Sequence, residues 1–212
     1  MATTTRTVAA PTTVTMPLLF PVAMIVAPIL LMASTFAFLS VGGGINDGIV
    51  GGVLTVWAVM AFVLAFVGCA RILESRMPKG AQLLAFGAAA VGAGGAGFGI
   101  SAIYVQLLRE DHAIDGVAAV DAHPFAILAL LPWGWFMPLT CILVGALLWR
   151  ARLLPWWHGV LFILAGALFV TGRPAQIGAI AVATDVVFLA AFVGLGLRTL
   201  AARSAAGRTE RS

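Results

Sequence analysis

Apolar residues along this chain fall into six long runs, about 16–40, 49–70, 81–107, 125–149, 153–171 and 177–197. Polar residues are gathered in the stretches between them. Each run reaches or approaches the ~20 residues that a helix, rising about 1.5 Å per residue, needs to cross the hydrocarbon core. None alternates with period two, so a transmembrane barrel is not predicted. The first run is longer than the apolar core of a cleavable leader, and no small-x-small site follows it, so it reads as a retained span. The pattern predicts an all-α polytopic membrane protein. Its six-transmembrane-helix bundle would cover residues 16–198, between a disordered tail at 1–15 and a mobile basic tail at 199–212.

Composition sharpens the class. Of 212 residues, 62% are hydrophobic and 9% charged, with a mean hydropathy of +1.09. A soluble domain carries roughly 25% charged residues, so a secreted domain, a cytosolic enzyme and a disordered chain are all excluded. The longest polar stretch between runs, about 108–123, is too short to fold as a catalytic domain. Any chemistry must sit within the bundle or on its faces.

The net charge of +4 does not indicate nucleic acid, because the basic residues sit at span ends rather than on a folded basic surface. Their placement instead predicts orientation. Arg6, Arg71, Arg76, Lys79, Arg150, Arg152, Arg198, Arg203, Arg208 and Arg211 fall on one side. Arg109 and Arg173 fall on the other, which also carries Asp47, Glu110, Asp111, Asp115 and Asp121. The positive-inside rule then puts both termini in the cytoplasm. Trp149, Trp156 and Trp157 flank the Arg150/Arg152 turn, where headgroups would lie.

Asp185 is the ionisable residue deep inside a span. A carboxyl group there costs about 2.5–3.5 kcal/mol on insertion scales, so it should face the bundle interior with a partner. No basic residue belongs to a span at that depth, so the expected partner is a backbone carbonyl or a threonine. Trp133, Trp135, Trp57 and Ser34 fall at comparable depth, so a ligand or proton site with aromatic walls is expected around them.

Pro17, Pro21 and Pro28 in span one match Pro124, Pro132 and Pro138 in span four. Proline-interrupted helices in corresponding positions of two halves point to a transporter site, although proline also merely bends membrane helices. A competing repeat relates the hairpins around 68–87 and 145–164. Gly95 and Gly99 form a GxxxG pair suited to close helix packing, within the chain or at a homodimer seam. His112, His123, Asp111 and Asp115 are metal candidates by residue type, but their spacing matches no defined site. His158 lies at the cytoplasmic start of span five, at the opposite face from the other histidines, so a histidine-ligated haem is not supported. Cys69 and Cys141 form no CxxC or Cys/His motif. No cofactor is expected.

The stretch Phe136-Met137-Pro138-Leu139 through Trp149-Arg150-Ala151-Arg152-Leu153-Leu154-Pro155, then Gly159-Val160-Leu161 and Ala165-Gly166, resembles a widespread group of uncharacterised bacterial six-helix integral membrane proteins. The resemblance implies the six-helix layout and brings no catalytic residues. Trp156-Trp157-His158 and the proline-rich fourth span depart from it. The Arg-rich, Lys-poor composition suits a bacterium, and hence its plasma membrane. The functional expectation is a membrane-embedded binding or accessory subunit, not an enzyme, contacting lipid and either another membrane protein or a second copy. The alternative is a small proton-linked transporter using Asp185 and proline-bent spans one and four.

Overall fold

A computed structural model of the chain describes residues 16–42, 44–111 and 124–209, with 124–133 and 209 in backbone only. The expected tail at 1–15, His112, Asp115, Asp121, His123 and the side chain of Trp133 lie outside the described residues. The described residues form six helices: α1 (Leu19–Val41), α2 (Ile49–Glu74), α3 (Pro78–Glu110), α4 (Pro124–Arg150), α5 (Trp156–Gly172) and α6 (Gly178–Thr209). No strand occurs among the described residues. Four of the helices, α1, α2, α3 and α6, are long and apolar enough to cross a membrane. The side-chain-described part of α4, Gly134–Arg150, and α5 are apolar but shorter.

Local chemistry sets the helix ends. Gly42 takes the left-handed conformation (φ 79°) that closes α1. Pro78 opens α3 at its first turn, where the missing N–H costs nothing. The α4–α5 turn is a Schellman motif: Leu153 N–H bonds Leu148 O at 3.0 Å and Arg152 N–H bonds Trp149 O at 2.9 Å. Pro155 then precedes α5 as its N-cap residue. α6 continues through Thr209, so the described part of the basic tail is helical. Alanine, leucine and arginine are strong helix formers, and Arg203 donates to the Met16 carbonyl, tying the extension to the start of α1.

Each helix packs on its neighbours in sequence, and α6 packs back on α1, so the six form a closed ring. A lesser contact between α2 and α4 crosses the inside. One end of the ring holds Met16, the α2–α3 and α4–α5 turns and the end of α6. The far end holds residues 44–48 and the 173–177 connection.

Phenylalanine fills the interior. Phe62 of α2 meets Phe188 and Phe192 of α6 at ring centroid distances of 5.5 and 5.3 Å, although these two helices are not ring neighbours. Phe162 of α5 meets Phe192 at 4.8 Å, and all four rings are fully buried. Edge-to-face pairs of this kind add to the burial itself.

Small residues let the walls close. A Cβ on Gly52 would lie 2.6 Å from the Gly99 carbonyl, and one on Gly145 would overlap the Gly159 carbonyl. Backbone therefore approaches backbone between α2 and α3 and again between α4 and α5.

Candidate functional site

The far end of the ring carries a buried polar layer, and its centre is an ion pair. Arg173 follows the last residue of α5, and its N–H still bonds Phe169 O at 3.1 Å, so it stays wound onto the helix end. Its side chain turns inward beside Phe169, with Cζ 5.7 Å from the ring centroid. It reaches Asp185, which lies about two turns into α6. Nη2 donates to Oδ1 at 3.2 Å and to Oδ2 at 3.4 Å. The same nitrogen donates to Thr35 Oγ1 of α1 at 2.5 Å. Thr35 in turn donates to Leu31 O at 3.2 Å. Arg173 is 3% exposed and Asp185 0%.

This corrects the expectation that Asp185 has no cation within reach. Arg173 belongs to a connection, not to a span. Its long stem nonetheless runs inward along apolar surface and delivers the guanidinium below the helix ends. The carboxyl group is therefore held in a salt bridge, and Thr35 accepts from the same arginine nitrogen.

Beside the pair, Ser34 and Thr55 join α1 to α2. Their hydroxyls lie 2.7 Å apart, and they stand 2.8 and 2.9 Å from the Gly51 carbonyl. One hydroxyl proton serves the carbonyl and the other the neighbouring hydroxyl. Ser34 is thus engaged in helix packing. Thr35 and Thr55 each sit about 9 Å below their helix ends, close to the depth of Asp185.

Residues 44–48 close over the layer. Asn46 Nδ2 donates to the Arg173 carbonyl at 3.3 Å. Asp47 pairs with Arg109 of α3 at 2.6 Å. Gly44, at φ 121°, lets the backbone pass against Gln176, whose Oε1 would stand 2.8 Å from any Cβ there. Three buried atoms of this region keep no hydrogen-bond partner: Arg173 Nε, Arg173 Nη1 and Asn46 Oδ1.

Two of the expected aromatic wall residues, Trp57 and Trp135, do not line Asp185. Trp57 and Trp135 are 57% and 53% exposed and point away from the interior. Gly99 packs on Gly52 and Val56 of α2 within the chain, and Gly95 is buried on the same helix. Asp111 is an exposed residue at the end of α3. Among the described residues, no three His, Cys, Asp or Glu side chains cluster as metal ligands would. Cys69 and Cys141 are buried thiols.

Two features lie at the other end of the ring. His158 is buried, and its Nε2 stands 2.7 Å from the Ala191 carbonyl, so that nitrogen carries the proton and donates; Nδ1 has no partner. A cavity of about 590 Å³ opens at the α4–α5 turn, between Trp149 and Trp156.

Arg173 and Thr35 are the functional candidates that sequence reading missed. A signal for Arg173 did exist, since it and Arg109 are the basic residues that break the charge asymmetry, and both prove to be ion-paired. Nothing in the sequence distinguishes Thr35 from other span threonines. Comparisons of the chain with protein-family models, with curated proteins and with solved structures gave no match.

Proposed function

We propose that the chain is a six-span protein of a bacterial plasma membrane, with both termini cytoplasmic, acting as a membrane-embedded binding or accessory subunit. The charge asymmetry supports the orientation. The two arginines on the outer side are each neutralised by a carboxylate, Arg109 by Asp47 and Arg173 by Asp185. The basic turns on the inner side stay open to the headgroup region, where Arg76 and Lys79 are exposed.

The observation that carries the accessory reading is the pairing of a phenylalanine-filled interior with large aromatic side chains turned outward. Phe62, Phe162, Phe188 and Phe192 occupy the middle of the ring, while Trp57 and Trp135 sit on its periphery. Recognition by such a body happens on its lipid-facing helix faces. A photo-crosslinking amino acid at position 57 or 135 tests this in intact membranes. The reading expects one protein adduct of fixed mass from at least one position and none from an inward position such as 62. Lipid adducts alone from both outer positions would overturn it.

The proton-linked transporter remains the second reading, on one observation. Arg173 keeps Nε and Nη1 unpaired in a buried site beside Asp185, so the pair retains capacity for one more acceptor. Proton uptake by liposomes holding the purified protein, lost in Asp185→Asn, would favour it over the accessory reading.

A further inference from the structure

We propose that the α4–α5 turn is a binding site for the phosphate headgroup of an anionic phospholipid in the cytoplasmic leaflet. The cavity there holds about 590 Å³. Its walls are Trp149 and Trp156, its charged lining is Arg150 and Arg152, and the 153–155 segment completes it. Among the described residues neither guanidinium is paired with a carboxylate. Two exposed arginines with free N–H groups thus face one open volume, and guanidinium forks match phosphate oxygens. Tryptophans on either side place the cavity at headgroup level, with their apolar rings toward the acyl chains. An unpaired basic pocket between helices on the cytoplasmic side is suited to an anionic headgroup.

The backbone supplies an independent reason. Arg152 sits at the left-handed position of the Schellman turn, with φ 57°. Glycine is the favoured residue there, because a Cβ disfavours that conformation. Arginine at this position puts a charge into the cavity at a conformational cost that glycine would avoid. Arg71 and Arg76, at the α2–α3 turn on the same end, serve as an internal control. Arg71 is already paired with Glu74 at 3.2 Å.

This inference rests on the cytoplasmic placement of the α4–α5 turn, which thiol labelling of Ser75→Cys at the same end of the ring checks separately. The test uses the full chain in nanodiscs of phosphatidylcholine alone or with a third phosphatidylglycerol, read as the melting temperature. Anionic lipid should raise it by several degrees, and the gain should shrink as salt is added. Arg152→Gly suits the turn and should melt no lower than wild type in phosphatidylcholine, yet lose at least half of the gain. Arg150→Gln/Arg152→Gln should lose nearly all of it, and Arg71→Gln/Arg76→Gln should keep it. Equal loss from the two double variants, or a full gain in Arg152→Gly, would overturn the site. A comparable rise from inorganic phosphate in phosphatidylcholine nanodiscs would overturn the lipid as its occupant.

Discussion

Arg173 Nη2 lies 3.2 Å from Asp185 Oδ1, and the two residues belong to different parts of the fold. Arg173 follows the end of α5, Asp185 is inside α6, and Thr35 of α1 shares the same nitrogen. The pair therefore ties together three of the six helices at one depth. It also joins the point where the ring closes, since α6 meets α1 there.

Removing one member of a buried pair leaves the other as an unpaired charge or an unmatched donor set. That costs about 3–5 kcal/mol. Arg173→Gln should therefore destabilise the protein strongly. The Asp47–Arg109 pair is different, because the Arg109 side chain is 42% exposed. Solvent screens it, and Arg109→Gln should cost about 1 kcal/mol or less. Unfolding in mixed detergent micelles, followed by circular dichroism, compares the two. Similar losses from both variants would mean that the far-end layer is not dry.

The glycine contacts give a second expectation. A methyl group at position 145 would run into the Gly159 carbonyl, with Phe162 Cβ close behind at 2.9 Å. Neither neighbour is the end of a flexible side chain, so α4 and α5 would have to separate. Gly145→Ala should lower the melting temperature by several degrees. A methyl group at position 97 would meet no atom within 4 Å. Gly97→Ala should be neutral or slightly stabilising, because alanine is the better helix former by about 1 kcal/mol. Thermal melts of the two single variants decide the matter.

Phe192 contacts Phe62, Phe66, Phe162 and Phe188 within the ring. Truncating a fully buried phenylalanine costs about 3–5 kcal/mol through lost contacts and the cavity left behind. Phe192→Ala should show that loss, whereas Trp57→Ala, on the periphery, should change stability little. Equilibrium unfolding of both variants measures the contrast. A larger loss from Trp57→Ala would place the packed interior on the wrong side of α2.

Orientation is accessible to thiol labelling. The native thiols, Cys69 and Cys141, are buried, so brief exposure to a membrane-impermeant maleimide gives a low background. Ser75, Ser204 and Ala175 are exposed. In intact cells Ala175→Cys should label, while Ser75→Cys and Ser204→Cys should label only after the membrane is opened. The reverse pattern would invert the topology, and labelling of all three would mean that the chain does not span as proposed.

Much of the helical layout was legible because it follows from one dominant constraint. Long apolar runs cannot leave backbone polar groups unpaired, so the runs at about 16–40 and 49–70 were read as helices, and helices stand at 19–41 and 49–74. The ends of α2 and α3 moved outward by a few residues, to Glu74 and Glu110, where charged side chains extend helices beyond the apolar core. The site was less legible. Asp185 stood out by its depth, but its partner came from a connection between two apolar runs. A sequence gives a residue's depth along its own helix, not the direction in which a long side chain leans. The same limit applies to Trp57 and Trp135, whose depth matched that of Asp185 while their faces did not. Facing is set by packing around the ring, and helices apolar on every side carry little signal for it.

A double-mutant cycle on Arg173 and Asp185 tests the central claim most directly, that this pair locks the far end of the ring. The variants are Arg173→Met, Asp185→Leu and the two together, each measured by equilibrium unfolding in the same micelles. The account predicts that each single change is costly and that the double variant recovers most of the loss, with a coupling of about 2 kcal/mol or more, because removing both charges leaves neither unpaired. Strictly additive losses, with the double variant the least stable of the three, would contradict it.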